Sequence, residues 1–414
     1  MLRVLNLSFW DNAGGSGRAA YRLHSSFRRL GVDSRMLVAL KATDDEDVKV
    51  IGGRMLGRLD RLCGRTVDRL DLQYLFYPSS VLLPRMRWVR DANVLQIYNT
   101  HGGYLSHRAL IRLSHARPVV WRLSDMWAMT GHCAYSYECD RWKTGCGACP
   151  HLDEFPALSR DTSALLWRVK ARTYGRSRLT LVTPSRWLAG LVRESPLLSR
   201  FPVRVIPNGI DTSVFTPEVR EAARRRLGID PEHQVIMFGA ASLNDPRKGG
   251  RHLREALDRL PASLRGKMTL LLVGNDRWPD AGVERLKTLG PIADDHELAR
   301  AYSAADLFVL PTLAENLPNT ALEAMACGTP VVAFGVGGVA EAVRHLETGY
   351  VAAPGDTGDL AVGIERLLSD DALRSRLSRR GREVVLDEYE ADRQARQFLD
   401  LYGDLVSERA QALA

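Results

Sequence analysis

The densest group of chemistry-capable residues runs from Pro311 to Val332. Glu315 and Glu323 stand there with seven residues between them, and Asn319-Thr320, both good N-cap types, mark the expected start of a helix. A loop carboxylate such as Glu315 accepts hydrogen bonds from sugar hydroxyls. A second one about a turn into the helix, Glu323, can grip a ribose diol. The helix start between them offers free N–H groups and a positive dipole to a phosphate. The set suits a nucleotide sugar held at both polar ends, and it also reads as a capped helix with a surface Glu. Asn12-Ala13-Gly14-Gly15-Ser16-Gly17-Arg18 is a second anion-type turn, opening a helix over 18–30. It lacks the closing Gly-Lys-Ser/Thr of a Walker-type phosphate loop. His101, in Asn99–Gly103, is a candidate for acceptor binding or proton handling, or a structural loop histidine. Asp125 can orient or deprotonate a hydroxyl.

Four of the six cysteines fall between Cys133 and Cys149. Cys146 and Cys149 form a CxxC pair, and Cys133 and Cys139 can complete a tetrahedral all-cysteine site, with His132 and His151 as rival ligands. Such a site would be a structural zinc clip on an acceptor-side loop. Free buried thiols and a redox pair are the other readings. No catalytic metal is expected.

The elements that must position these residues alternate as apolar runs and helix-like segments, the pattern of an α/β fold with parallel sheets. The first half holds runs at 3–7, 34–40, 94–98, 119–123 and 179–183. The second holds 204–206, 235–239, 268–273, 307–310, 330–333 and 349–351. The restart near 205 and the turn residues of Val205-Ile206-Pro207-Asn208-Gly209-Ile210-Asp211 place a domain junction there. With 45% apolar residues in 414, each domain can bury a core. No apolar run is long enough to span a bilayer, and the start Met1–Leu7 reads as a strand rather than a secretory signal. A cytoplasmic protein with reduced or metal-bound cysteines is expected.

Residues 1–200 carry 31 Lys and Arg against 17 Asp and Glu, while the remainder carries 26 against 32, for a net +8. The basic half can face an anionic partner or simply be a solvated surface. Arg54, Arg58, Arg61, Arg65 and Arg69 share one face of a helix predicted over 54–70, with Met55, Leu59, Leu62 and Leu70 as apolar neighbours. Such a helix can lie on an anionic membrane, or cover the core with its Arg stems.

The two glutamates, followed by Glu323-Ala324-Met325-Ala326-Cys327-Gly328-Thr329-Pro330-Val331-Val332, resemble the donor-site signature of retaining GT-B glycosyltransferases of family 4. Pro207–Asp211, Lys248-Gly249 within Asp245–Gly250, and Gly335–Glu341 are similar to three further segments of that family. The likeness is dense over about 180–355. It implies two Rossmann-like domains with parallel sheets facing across a cleft. Residues 1–200 would bind the acceptor, 201–385 the nucleotide sugar, and 386–414 would form a C-terminal helix packing back toward the N-terminal domain.

The resemblance also implies roles. Glu315 would contact the donor hexose, and the backbone from Asn316 through Leu317, Asn319 and Thr320 would hold its hydroxyls and diphosphate. Glu323 would bind ribose. Lys248 would neutralise the departing β-phosphate, and Gly14, Gly15 and Ser16 would face the diphosphate from the other lobe. Three departures stand out. Ser242 lies near the position of a family Arg, which Arg247 would have to replace. Glu-Asn-Leu-Pro replaces Glu-Gly-Phe-Gly at Glu315. Ser124-Asp125 replaces His-Asp. The second variant and the cysteine-rich segment resemble a polysaccharide-building subgroup. The implied activity is retaining transfer of a hexose from a nucleoside-diphosphate sugar to a saccharide or lipid-linked acceptor in cell-surface polysaccharide synthesis, with peripheral contact at the inner membrane face and no nucleic acid partner. A GT-B sugar-nucleotide epimerase and a non-enzymatic anion- or membrane-binding protein are the rival readings.

Overall fold

Apolar residues on both faces of consecutive short strands force those strands into the middle of a layered structure, because a parallel sheet needs helices on both sides. A computed structural model of the protein shows this twice. It describes residues 2–413 apart from 277, 279–282 and 284; Met1 and the side chains of Arg54 and Met55, part of the basic face expected above, lie outside the described residues. The chain divides into Met1–Gly209 with Asp392–Ala414, and Ile210–Ala391.

The first unit holds β1 (Arg3–Trp10), β2 (Asp33–Leu40), β3 (Val48–Val50), β4 (Val94–Ile97), β5 (Val119–Arg122), β6 (Thr180–Thr183) and β7 (Val203–Val205). They form one sheet in the order β3-β2-β1-β4-β5-β6-β7. Every pair is parallel, with Leu7 level with Leu37 on one side and Ile97 on the other. Leu5, Leu7, Leu95, Ile97 and Trp121 pack on one face. Val4, Val94, Val120 and Val182 pack on the other, against Phe398 and Tyr402 of the last helix, Ala391–Leu413. Tyr402 also donates its hydroxyl to Gln96.

The second unit holds β8 (Gln234–Ser242), β9 (Met268–Asn275), β10 (Arg285–Thr288), β11 (Leu307–Leu310), β12 (Val331–Phe334) and β13 (Gly349–Ala352), in the order β10-β9-β8-β11-β12-β13. Along β8, Val235 and Met237 face one core and Ile236 and Phe238 the other, as a period of two requires.

The run at 204–206, read as opening the second array, is corrected. It closes the first sheet as β7, because Leu181–Thr183 offers it a free edge. The boundary therefore falls at Gly209-Ile210 rather than at 200, and the second unit keeps the helix Asp371–Glu388, returning only at Asp392. Two strands escaped the sequence reading, β3 and β10. Both are short edge strands rich in charge, Val-Lys-Val and Arg-Leu-Lys-Thr. The turn Pro207–Gly209 is fastened within the first unit by Arg122 donating to Asn208 Oδ1 and Gln394 donating to the Pro207 carbonyl at 2.5 Å.

Candidate functional site

In an open parallel sheet, ligands bind beyond the carboxyl ends of the strands where the strand order reverses. In the second sheet that point lies between β8 and β11. The loop after β8 carries Asp245–Gly250, and the loop after β11 carries Pro311–Pro318, so the two strands deliver Lys248 and Glu315 to one place. Their backbones are stitched together. The Arg247 carbonyl accepts from Leu313 N–H at 2.8 Å and from Thr312 Oγ1 at 3.0 Å. Gly249 sits at φ +73°, and a Cβ there would lie 1.8 Å from the Pro311 carbonyl oxygen, so only glycine permits this approach. Asp245 caps the short turn by accepting from Arg247 N–H at 3.0 Å.

The result is an ion cluster. Lys248 Nζ donates to Glu315 Oε2 at 2.7 Å. Arg247 Nη1 donates to the Ala314 carbonyl at 2.9 Å and lies 3.4 Å from the same Glu315 oxygen. Burial works to raise the Glu315 pKa, but the Lys248 and Arg247 cations outweigh it and hold the carboxyl below its ordinary range. Ser242, where the resembled family has Arg, instead donates to Asp276 at 2.5 Å.

The helix after Glu315 spans Asn319–Ala326. Its cap position is held by Pro318, which offers no side-chain bond, so the expected capping by Asn319-Thr320 is corrected: Asn319 is the first helical residue. Glu315, Asn319 and Thr320 are half-buried, whereas Asn316 and Leu317 are buried. Glu323 is 3% exposed, and its Oε2 accepts from Tyr302 Oη at 3.1 Å. The sequence reading did not single out Tyr302. It lies in the helix Asp295–Ala304, with no local motif to mark it.

The first sheet reverses between β1 and β4. The loop after β1 leads into helix α1 (Gly14–Arg29) and the loop after β4 holds Asn99–Gly103. Asp11 anchors the former by accepting from Ala42 N–H at 2.7 Å and Thr43 N–H at 2.9 Å. Gly14 needs its φ of +64°, but a Cβ at Gly14 or Gly15 would meet nothing within 4 Å. Ser16 Oγ is buried and has no hydrogen-bond partner among the described residues. His101 and Asp125, read separately from the sequence, are brought together: Nε2 and Oδ2 lie 2.8 Å apart, and Asp125 Oδ1 accepts from Trp127 N–H at 3.0 Å.

Beside this end of the sheet is a cavity of about 690 Å³ lined by residues that include Phe9, Leu40, Lys41, Arg58, Arg61 and Tyr104. Arg58 and Arg61 belong to helix α2 (Gly53–Arg69). The reading that its Arg stems cover the core is corrected in part: Arg58, Arg61, Arg65 and Arg69 are exposed, but so are Leu59, Leu62 and Leu70 beside them.

Residues 232–370 match the family described as "Glycosyl transferases group 1". The second unit carries a glycosyl transferases group 1 domain. The D-inositol 3-phosphate glycosyltransferase of Stackebrandtia nassauensis is 34% identical over 224 residues, 50% of this chain and 50% of that protein. The protein of the same name from Actinosynnema mirum is 36% identical over 206 residues, 46% and 48%. The match thus spans about half the length of these curated relatives. Among solved structures, sucrose-phosphate synthase from Thermosynechococcus elongatus aligns over 98% of this chain and 100% of its own with TM-score 0.71 and 21% identity. Anabaena HepE in complex with UDP-glucose aligns over 98% and 100% with TM-score 0.69 and 18% identity. These likenesses show the GT-B fold, with its two domains each built on a parallel sheet.

In this GT-B chain the Lys248–Glu315 cluster, Glu323 and the Asn319 helix start all lie within the matched segment. The His101–Asp125 pair, Gly14–Ser16 and the four cysteines from Cys133 to Cys149 lie outside it, in the first unit. There His107 stacks on Trp127, with ring centroids 5.7 Å apart. Burial first, and then the nearby Lys170 cation, push its pKa down to about 3. His107 is therefore neutral in the fold, while an unfolded histidine takes up a proton near pH 6.5. Stability from this group is full above about pH 6.5 and is lost as pH falls toward 3, by roughly 1.4 kcal/mol per unit. Denaturant unfolding of wild type and His107→Phe across pH 4–7 should show the slope of the first unit's stability flattened in the variant.

Proposed function

We propose that the chain is a retaining hexosyltransferase that moves a sugar from a nucleoside diphosphate to a saccharide or lipid-linked acceptor in cell-surface polysaccharide synthesis. One observation carries the reading: at the reversal point of the second sheet, two loops bring a lysine and an arginine onto one half-buried glutamate beside a helix start. Without ligand the cations neutralise Glu315. A diphosphate arriving at Lys248 would draw the ammonium to itself and leave the Glu315 oxygens for sugar hydroxyls. The Asn316–Thr320 backbone would add N–H donors, and Glu323, oriented by Tyr302, would take the ribose diol. Lys248 then stabilises the charge that grows on the β-phosphate as the glycosidic bond breaks.

Retention follows from attack on the same face, with the leaving phosphate taking the acceptor proton, so no strong protein base is needed. His101 and Asp125 would orient the acceptor hydroxyl. Gly14, Gly15 and Ser16, the last with a buried hydroxyl that has no hydrogen-bond partner among the described residues, would be the first unit's own anion-binding turn. The first-unit cavity pairs apolar walls with Lys41, Arg58 and Arg61, which favours an acceptor with an anionic head over an epimerase that needs no acceptor. Exposed Leu59, Leu62, Leu70 and Phe76 near the exposed arginines support work at the inner face of an anionic membrane. No helix among the described residues is long and apolar enough to cross one.

The test is slow donor hydrolysis and transfer by the purified protein with a panel of nucleoside-diphosphate hexoses, UDP-glucose first because HepE was solved with it. Released diphosphate and an unchanged anomeric configuration by NMR are expected. Turnover with inverted configuration, or with none of the panel, would contradict the proposal.

A further inference from the structure

The segment joining β5 to the helix Ser163–Tyr174 is long, contains no strand, and is nonetheless held rigidly by its own side chains. Cys149 N–H donates to Asp161 Oδ2 at 2.8 Å, Gly147 N–H to Ser163 Oγ at 3.0 Å, and Arg141 Nη1 to the Gly147 carbonyl at 3.0 Å. Within it, Cys133, Cys139, Cys146, Cys149 and His132 line one cavity of about 20 Å³. A space of that size suits one ion or one water and little else. All four thiols are unpaired by disulfides.

Two features point to an ion rather than to packed thiols. Gly145, Cys146, Gly147 and Ala148 all have left-handed backbones, with φ of +124°, +57°, +94° and +47°. A side chain pays about 1–2 kcal/mol for that conformation, and Cys146 and Ala148 both adopt it. The run turns the CxxC back on itself so that both sulfurs reach the cavity. Next, Gly131 N–H donates to Cys146 Sγ at 3.2 Å. A backbone donor aimed at sulfur orients and stabilises a thiolate at a metal. Beside the cavity, Lys170 is 1% exposed, with Nζ held by the carbonyls of Trp127 and Thr130 at 2.5 and 2.9 Å and 3.5 Å from the centre of the Trp127 ring.

We propose that this loop binds one Zn²⁺ through Cys133, Cys139, Cys146 and Cys149, as a structural clip. Each thiol gives its proton to solvent as its sulfur bonds the ion, and no electron moves. The tetrathiolate complex carries two negative charges, which Lys170 partly answers. Four soft ligands select zinc over the harder divalent ions, and a closed set leaves no position for catalysis. Among the described residues no three His, Cys, Asp or Glu side chains are already set around one ion position. Loading therefore turns the half-buried Cys139 and Cys149 inward on a backbone that is already folded for it. The clip would also fix the start of the loop, where Met126 N–H donates to the Ala134 carbonyl at 2.8 Å, next to Asp125.

The experiment is elemental analysis of the full chain purified without chelator, followed by replacement of the metal with Co²⁺. About one zinc per chain is expected, with thiolate-to-cobalt charge-transfer bands and the visible bands of tetrahedral Co²⁺. Cys146→Ser should lose most of the metal, Cys63→Ser should keep it, and His132→Ala should keep it. Should Cys146→Ser fail to fold, the cobalt spectrum of the wild type still decides. Negligible zinc with no thiolate bands on added Co²⁺ overturns the site, and loss of metal in His132→Ala overturns the all-cysteine assignment. Neither readout involves sugar transfer, so failure here is separate from failure of the transferase reading.

Discussion

Lys248→Met should lower donor turnover by about 10²–10³-fold while leaving the fold in place. The chemistry supplies the size of the effect: a single cation aimed at a leaving group in a water-poor site accounts for roughly 3–4 kcal/mol of barrier. The neighbourhood explains why stability should survive. Removing one partner of a buried ion pair is ordinarily damaging because it strands a charge. Glu315 would not be stranded, since Arg247 Nη1 lies 3.4 Å from the same oxygen and Asn316 N–H lies 3.3 Å from the other. The loss should therefore appear in kcat with little change in Tm. An equal fall in both would place Lys248 in the scaffold rather than in the chemistry.

Gly249→Ala should be the most damaging single methyl in the second unit. The added carbon would sit 1.8 Å from the Pro311 carbonyl oxygen, a contact with backbone that no rotamer change relieves. The loops after β8 and β11 would have to part, and the 2.7 Å Lys248–Glu315 contact would open with them. A displacement near 1 Å at such a site costs on the order of 10²-fold in rate. Gly228→Ala is the internal control. It has nearly the same φ, +65°, yet its Cβ would meet only the flexible Lys287 Nζ at 3.5 Å. It should show the backbone cost alone, about 1 kcal/mol of stability, with donor turnover unchanged. Measured kcat/KM and thermal unfolding of the two variants separate steric closure from backbone strain.

The alternation of apolar runs with helices was readable because central parallel strands are apolar on both faces and stand out from their surroundings. β3 and β10 did not stand out, since edge strands carry charge. The run at 204–206 was assigned to the wrong sheet because a strand's sequence says that it pairs, not with which neighbour. At the candidate site Glu315 and the helix start were legible from residue types, while Lys248 was singled out only through its likeness to a family segment. What brings them together was not legible. The Arg247 carbonyl that ties Thr312 and Leu313 is a backbone atom, and the Gly249–Pro311 contact joins positions far apart in the chain. Tyr302 on Glu323 and the pairing of His101 with Asp125 were hidden for the same reason, being products of sheet order.

Calorimetric titration of the purified chain with a nucleoside-diphosphate sugar, in low and high salt, tests the central claim most directly, with Glu323→Ala and Glu315→Ala alongside. Affinity that persists when salt screens long-range charge, falls below detection in Glu323→Ala and weakens in Glu315→Ala is the predicted result. Binding that disappears with salt in the wild type, or that both variants retain in full, would contradict a nucleotide-sugar site on the second sheet.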